Sequence, residues 1–153
     1  MIILIILFVL IDIISKYLIV RCIGLNDAIV VIKGFFNITY VRNPGVAFSM
    51  FPGNRYLVLV VSFFIIIGII YYLYKNKPTG RLEKLGYSLI LGGAISNFID
   101  RLVHGYVIDF IDVKIFNYDY PIFNLADTFI VIGVILLIIY TWRCKDGNKG
   151  KWR

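Results

Sequence analysis

Apolar residues in this chain come in blocks rather than in alternation. Four blocks stand out, at residues 2–20, 56–74, 85–99 and 126–142. The first two each run 19 residues, which at about 1.5 Å per residue reach roughly 28 Å, close to one hydrocarbon core. The third is shorter and bears glycines. The fourth ends with Tyr140 and Trp142, aromatic anchors suited to a membrane interface. This pattern predicts four spanning helices. Between the first two blocks, "AIVVI" (28–32) and "FFNITYV" (35–41) read as strands, followed by a turn signal at Asn43-Pro44-Gly45. The aromatic and β-branched stretch 106–123 could return to join them. The expected fold is a membrane protein, mainly α. It has four transmembrane helices and a small β-layer on the outer surface, in one integral membrane domain over 1–153.

Composition supports the same solvent. Of 153 residues, 60% are hydrophobic, too many for a water-soluble domain of this size. The N-terminal block has no basic leader, and no convincing small-residue cleavage site follows before "RCIGLND". It is expected to stay as an uncleaved first helix. Gly92 and Ser96, four apart, offer a small-residue contact for a neighbouring helix.

Charge gives an orientation. Lys75, Lys77, Arg81 and Lys84 crowd the loop 75–84, and Arg143, Lys145, Lys149, Lys151 and Arg153 crowd the tail 143–153. The loops 21–55 and 100–125 are sparser in basic residues. The positive-inside rule puts both termini and 75–84 in the cytoplasm, with the two longer loops outside. The net charge of +7 fits that bias and anionic headgroups, and calls for no nucleic acid. Cys22 and Cys144 fall at opposite ends of this topology and sit in no metal-binding or redox spacing.

Polar residues inside apolar blocks are costly, and they mark either function or a buried pairing. Asp12 and Lys16 are four apart and share a helix face. They read as an ion pair that orients the first helix, or as part of an ion path. Asn97 and Arg101 share a face at the outer end of the third block, with Asp100 beside them. Asp127 opens the fourth block three residues after Asn124, where it could simply cap the helix. Asp109 lies between Ile108 and Phe110, a setting that would raise its pKa if buried. Two such carboxylates at the lipid–water boundary could share one proton, one activating water while the other protonates a leaving amine. Spacing alone leaves the pair open among Asp100, Asp109, Asp112, Asp119 and Asp127. A divalent-metal site on Asp109 and Asp112 is a weaker alternative. His104 is the single histidine, so a zinc site or a Ser-His-Asp triad would hang on it.

Five motifs in order then carry a resemblance. "DIISK" (12–16), "NPGVAFS" (43–49), "GGAISNFIDR" (92–101), "VIDF" (107–110) and "FNLAD" (123–127) resemble those of the bacterial lipoprotein signal peptidases, or signal peptidase II family. Ser96 stands where that family usually has glycine. The resemblance implies an aspartic endopeptidase with four spans and an extracytoplasmic β-cradle, in the bacterial cell membrane with its active site at the outer face. Asp109 and Asp127 would be the catalytic dyad, with Asn124, Asn97 and Arg101 in support. Asp12, Lys16, Asn43 and Gly45 would shape the substrate pocket. The implied substrate is a diacylglyceryl-modified prolipoprotein, cut just before the modified cysteine. The implied inhibitor is of the globomycin type, no cofactor or metal is needed, and a monomer is the default.

Overall fold

A computed structural model describes residues 1–45, 55–115 and 118–145. Val46–Ser49 of the "NPGVAFS" motif and Lys149, Lys151 and Arg153 of the basic tail lie outside these residues, as do 116–117 of the stretch 106–123. Four helices are present: α1 (Ile2–Cys22), α2 (Arg55–Asn76), α3 (Arg81–His104) and α4 (Leu125–Lys145). Ile2–Cys22, Tyr56–Asn76 and Leu125–Arg143 are long and apolar enough to cross a membrane. The protein is thus a mainly helical membrane protein with three such helices among the described residues.

α3 differs from the others. It has 24 residues and carries Arg81, Glu83 and Lys84 at one end and Asp100 and Arg101 at the other. Those charged ends made it look short in the sequence. It is the central helix, packed against α1, α2 and α4. A helix enclosed by protein can afford polar side chains that a lipid-facing helix cannot. In α1 the usual pattern of a soluble helix is inverted: its only buried residues are Asp12 and Lys16, while Ile2, Ile3, Ile6 and Ile14 are exposed.

Glycines set the spacing between α3 and α4. A Cβ on Gly86 would meet Leu137 and the Gly133 carbonyl, and one on Gly93 would run into the Ala126 carbonyl and Ile130. Gly86 and Gly93 are seven apart, as are Ala126 and Gly133. The two backbones therefore touch along a heptad-spaced seam. Gly92 faces α1 instead, close to Phe8 and the Ile5 carbonyl. Ser96, expected only to pack, buries a hydroxyl that also bonds to α1.

Both strand-like segments do form strands. β1 (Ala28–Ile32), β2 (Phe36–Asn43), β3 (Val107–Ile115) and β4 (Tyr118–Asp119) make an antiparallel sheet in that order. Gly34, at φ 77, closes the β1–β2 turn, where Phe35 N–H donates to Ile32 O at 3.0 Å. Gly105, at φ 81, ends α3 in the left-handed conformation and turns the chain straight into β3. Between the pairs Ile38↔Ile111 and Val41↔Asp109, β2 holds one residue more than β3. This bulge re-aims the strand just where Asp109 sits. Ile23, Tyr40 and Ile108 form a small apolar cluster that joins the end of α1 to the sheet.

Candidate active site

α4 begins with a reciprocal cap. Asn124 Oδ1 accepts the N–H of Asp127 at 3.0 Å, and Asp127 Oδ2 accepts the N–H of Asn124 at 3.3 Å. This is a capping box built from Asn and Asp. A third free N–H of this helix end, on Ala126, is taken by Asp12 Oδ1 at 2.8 Å. Asp127 is thereby fixed on the first turn of α4, with its Oδ1 receiving Asn97 Nδ2 at 2.8 Å.

Asp109 arrives from the sheet. It follows five residues after the end of α3, and β3 is tied back to that helix by Ile108 N–H on Asp100 Oδ2 at 3.3 Å. Asn43, at the end of β2, donates Nδ2 to Asp109 Oδ2 at 2.8 Å, and Asn124 donates Nδ2 to Asp109 Oδ1 at 2.6 Å. Asp109 is 2% exposed. Burial is the main reason its carboxyl is pushed up from 3.8 to about 6. The bond from Asn43 opposes this, and the neighbouring charge of Asp127 adds to it.

The expected turn after β2 is also present. Gly45 N–H donates to Asn43 Oδ1 at 3.0 Å, so Asn43 holds the turn with one end of its amide and Asp109 with the other. Gly45 in turn offers its carbonyl to Arg101 Nη2 at 3.1 Å, while Arg101 Nη1 lies 3.3 Å from the Asn97 carbonyl. The buried Nε of Arg101 has no partner among the described residues.

These groups open onto one cavity of about 470 Å³. Asp109, Asp127, Asn97, Arg101 and Asn43 supply its polar wall, and Phe123, Ile130 and Val131 belong to its apolar wall. Of the residues expected at the site, Asn124 sits behind the two acids, 0% exposed, and Gly45 contributes only backbone. Asp12 and Lys16 were expected to shape the pocket, yet they do not line it. They lie beneath it, 0% and 2% exposed, because a charged pair on a helix otherwise in lipid must be enclosed. Lys16 Nζ contacts Asp12 Oδ2 at 2.6 Å, Asp100 Oδ2 at 2.8 Å and Asn97 Oδ1 at 2.9 Å. Asp100 therefore pairs with Lys16 on α1 rather than with its neighbour Arg101.

The network roles of two residues escaped the sequence reading. Ser96 donates to Asp12 Oδ2 at 2.6 Å, and Asp100 anchors both Lys16 and β3. The available signal was chemical: a hydroxyl and a carboxylate on a helix packed on all sides must find partners. The other acids are spoken for elsewhere. Asp112 takes Asn37 Nδ2 at 2.7 Å, Asp119 pairs with Lys114 at 3.0 Å, and His104 stacks on Tyr106. Asp109 and Asp112, three apart on a strand, point to opposite faces. Among the described residues no three acidic, histidine or cysteine side chains gather as a metal site would require.

Apolar helices enclosing an acid-lined cavity define an integral-membrane enzyme. Two solved bacterial membrane enzyme structures, both determined by the in meso method, share the architecture. One, at 2.3 Å resolution, is 37% identical, with a TM-score of 0.87 covering 99% of this chain and 93% of its own. The other, at 1.9 Å, is 38% identical, with a TM-score of 0.82 covering 92% and 90%. The chain belongs to the signal peptidase II family, whose family model, described as signal peptidase (SPase) II, matches residues 4–143. Lipoprotein signal peptidases from Anoxybacillus flavithermus and Halothermothrix orenii are 41% and 42% identical to it. Those matches cover 93% and 88% of this chain and 84% and 90% of the relatives. A lipoprotein signal peptidase of Staphylococcus aureus is 40% identical, covering 94% of this chain and 88% of its own. The resemblance read from the five motifs is thus that of the family itself, and the chain is a protease of lipoprotein processing.

Proposed function

We propose that the chain is an aspartic endopeptidase with Asp109 and Asp127 as its dyad. It removes the signal peptide from prolipoproteins by cutting just before the diacylglyceryl-modified cysteine. The observation that carries this reading is the shared setting of the two carboxylates. They meet one cavity from different elements, and Asn124 donates to both. Burial and the neighbouring charge of Asp127 both raise the Asp109 carboxyl, so the pair keeps one proton up to about pH 6.

The chemistry balances on that proton. The ionised carboxylate takes a proton from water as the water oxygen attacks the scissile carbonyl carbon. The protonated carboxyl gives its proton to the leaving amine as the C–N bond breaks, and the dyad ends with one proton again. Asn97, Asn124 and Asn43 hold the carboxylates, Arg101 and Gly45 brace the cavity rim, and no cofactor enters the reaction.

The topology completes the proposal. α3 is the fourth span, despite its charged ends, because it runs the length of the other three and is shielded by them. Both termini and 75–84 face the cytoplasm, and the sheet lies at the outer face of the bacterial cell membrane. The protein acts as a monomer and is blocked by globomycin-type inhibitors. Substituting Asp109→Asn or Asp127→Asn in cells tests the reading. Unprocessed prolipoprotein should build up while the variant enzyme accumulates normally, whereas normal processing in either variant would overturn it.

A further inference from the structure

The hydrogen bonds of the buried Lys16 carry a direction. An ammonium can donate and never accept. Lys16 Nζ is directed to Asp12 Oδ2, Asp100 Oδ2 and Asn97 Oδ1, three acceptors for its three hydrogens. The Asn97 atom that faces it must therefore be the carboxamide oxygen, which also takes Asn124 Nδ2 at 3.2 Å. The NH₂ end is left to face Asp127, and Nδ2 lies 2.8 Å from Asp127 Oδ1. The partner of Lys16 works on the same carboxylate by another route. Asp12 Oδ1 holds the Ala126 N–H at 2.8 Å, one residue before Asp127.

We propose that Lys16 is a positioning residue for the peptidase reaction. By fixing the Asn97 carboxamide, it makes Asp127 Oδ1 a hydrogen-bond acceptor and keeps the dyad's mobile proton off the side that faces Asn97. This rests on the dyad reading above. Lys16 does not line the cavity, so it acts through Asn97 and not on substrate. When the ammonium is removed, Asn97 keeps only the neutral donor of Asn124, and charge-assisted bonds are the stronger kind. The carboxamide is then free to turn its oxygen to Asp127. The carboxyl would have to carry its proton on that side, donated to Asn97 rather than free for the leaving amine.

The test is steady-state kinetics with purified enzyme in detergent and a synthetic diacylglyceryl-modified prolipoprotein. The main variant is the double substitution Asp12→Asn/Lys16→Met. It removes one negative and one positive charge, so the net buried charge is kept, and it leaves a carboxamide oxygen for Ala126 N–H. The expected result is a kcat lower by about 10- to 100-fold with KM within about twofold. In an Asn97→Ala background the same double substitution should cost little more, because Lys16 acts through Asn97 and Asp12→Asn keeps an acceptor for Ala126 N–H. Lys16→Gln, which can still donate to Asn97, should retain more kcat than the methionine variant. An unchanged kcat, a loss confined to KM, or a full additional loss in the Asn97→Ala background would each overturn the proposal. If neither the methionine nor the glutamine variant accumulated as folded protein, the role would be one of folding, and the proposal would fall. Asp127→Asn, run alongside, separates the two claims: full activity there would remove the dyad reading whatever the Lys16 variants do.

Discussion

Asn124 donates its side-chain Nδ2 to Asp109 Oδ1 across 2.6 Å. The same residue clasps Asp127 from behind, through its backbone N–H and its carboxamide oxygen. One side chain thus performs two separable tasks, starting a helix and holding an acid on a neighbouring strand.

Those tasks can be split by mutation. Serine caps helices about as well as asparagine, but it is too short to reach Asp109. Asn124→Ser should therefore keep the cap, cost about 1–3 kcal/mol for the buried acceptors it leaves unpaired, and lower kcat by roughly 10- to 100-fold. Asn124→Ala should lose the same activity and about 1 kcal/mol more stability than the serine variant. Thermal melts in detergent beside cleavage rates check both, and a fully active serine variant would contradict the assignment.

The proton on Asp109 predicts a pH dependence with a definite sign. Its folded pKa, about 6, lies above the ordinary 3.8, chiefly through burial. The folded state binds this proton more tightly than the unfolded chain does. The stability it contributes is complete below pH 3.8 and is lost as pH rises through about 6. Between about pH 4 and pH 7 the wild type should lose up to on the order of 3 kcal/mol that Asp109→Asn does not lose. Equal pH profiles for the two proteins, followed by melting temperature, would contradict the buried-acid assignment.

Helix spacing supplies a prediction remote from the chemistry. A Cβ on Gly93 would press on the Ala126 carbonyl, one residue before Asp127, whereas one on Gly68 would meet nothing within 4 Å. Gly93→Ala should cost about 1–3 kcal/mol and most of the activity. Gly68→Ala should be neutral or stabilising by up to about 1 kcal/mol, from helix propensity alone. Matching melts and rates for the two variants would show that the α3–α4 seam does not position Asp127.

Orientation is open to a labelling experiment. With Cys22 and Cys144 replaced by serine, a cysteine at Lys33 should react with a membrane-impermeant thiol reagent in intact cells. A cysteine at Lys77 should react only after permeabilisation. The opposite pattern would invert the topology.

Much of the architecture was legible because lipid imposes simple rules. Long apolar blocks must be helices, and the residues 28–32 and 35–41 had strand character of their own. The capping role of Asp127 could also be read from Asn124 three residues earlier, and the capping carboxylate still lines the cavity. α3 was underestimated because its charged ends look solvated in sequence, whereas Asp100 is 5% exposed and bonded to Lys16 on another helix. The Asp12–Lys16 ion pair is one of the readings their spacing of four allows, but its connections to Asn97 and Ala126 depend on long-range packing that spacing cannot reveal. The bulge that aims Asp109 is likewise a property of two paired strands, visible in neither alone.

The most direct measurement uses purified enzyme in detergent, a synthetic diacylglyceryl-modified prolipoprotein, and mass spectrometry to locate the cut. Wild type, Asp109→Asn and Asp127→Asn would be run side by side, each with and without EDTA. The dyad account expects a single cut just before the lipidated cysteine, unaffected by EDTA and absent from both variants. Cleavage that persists in either variant, or that EDTA abolishes in the wild type, would contradict it.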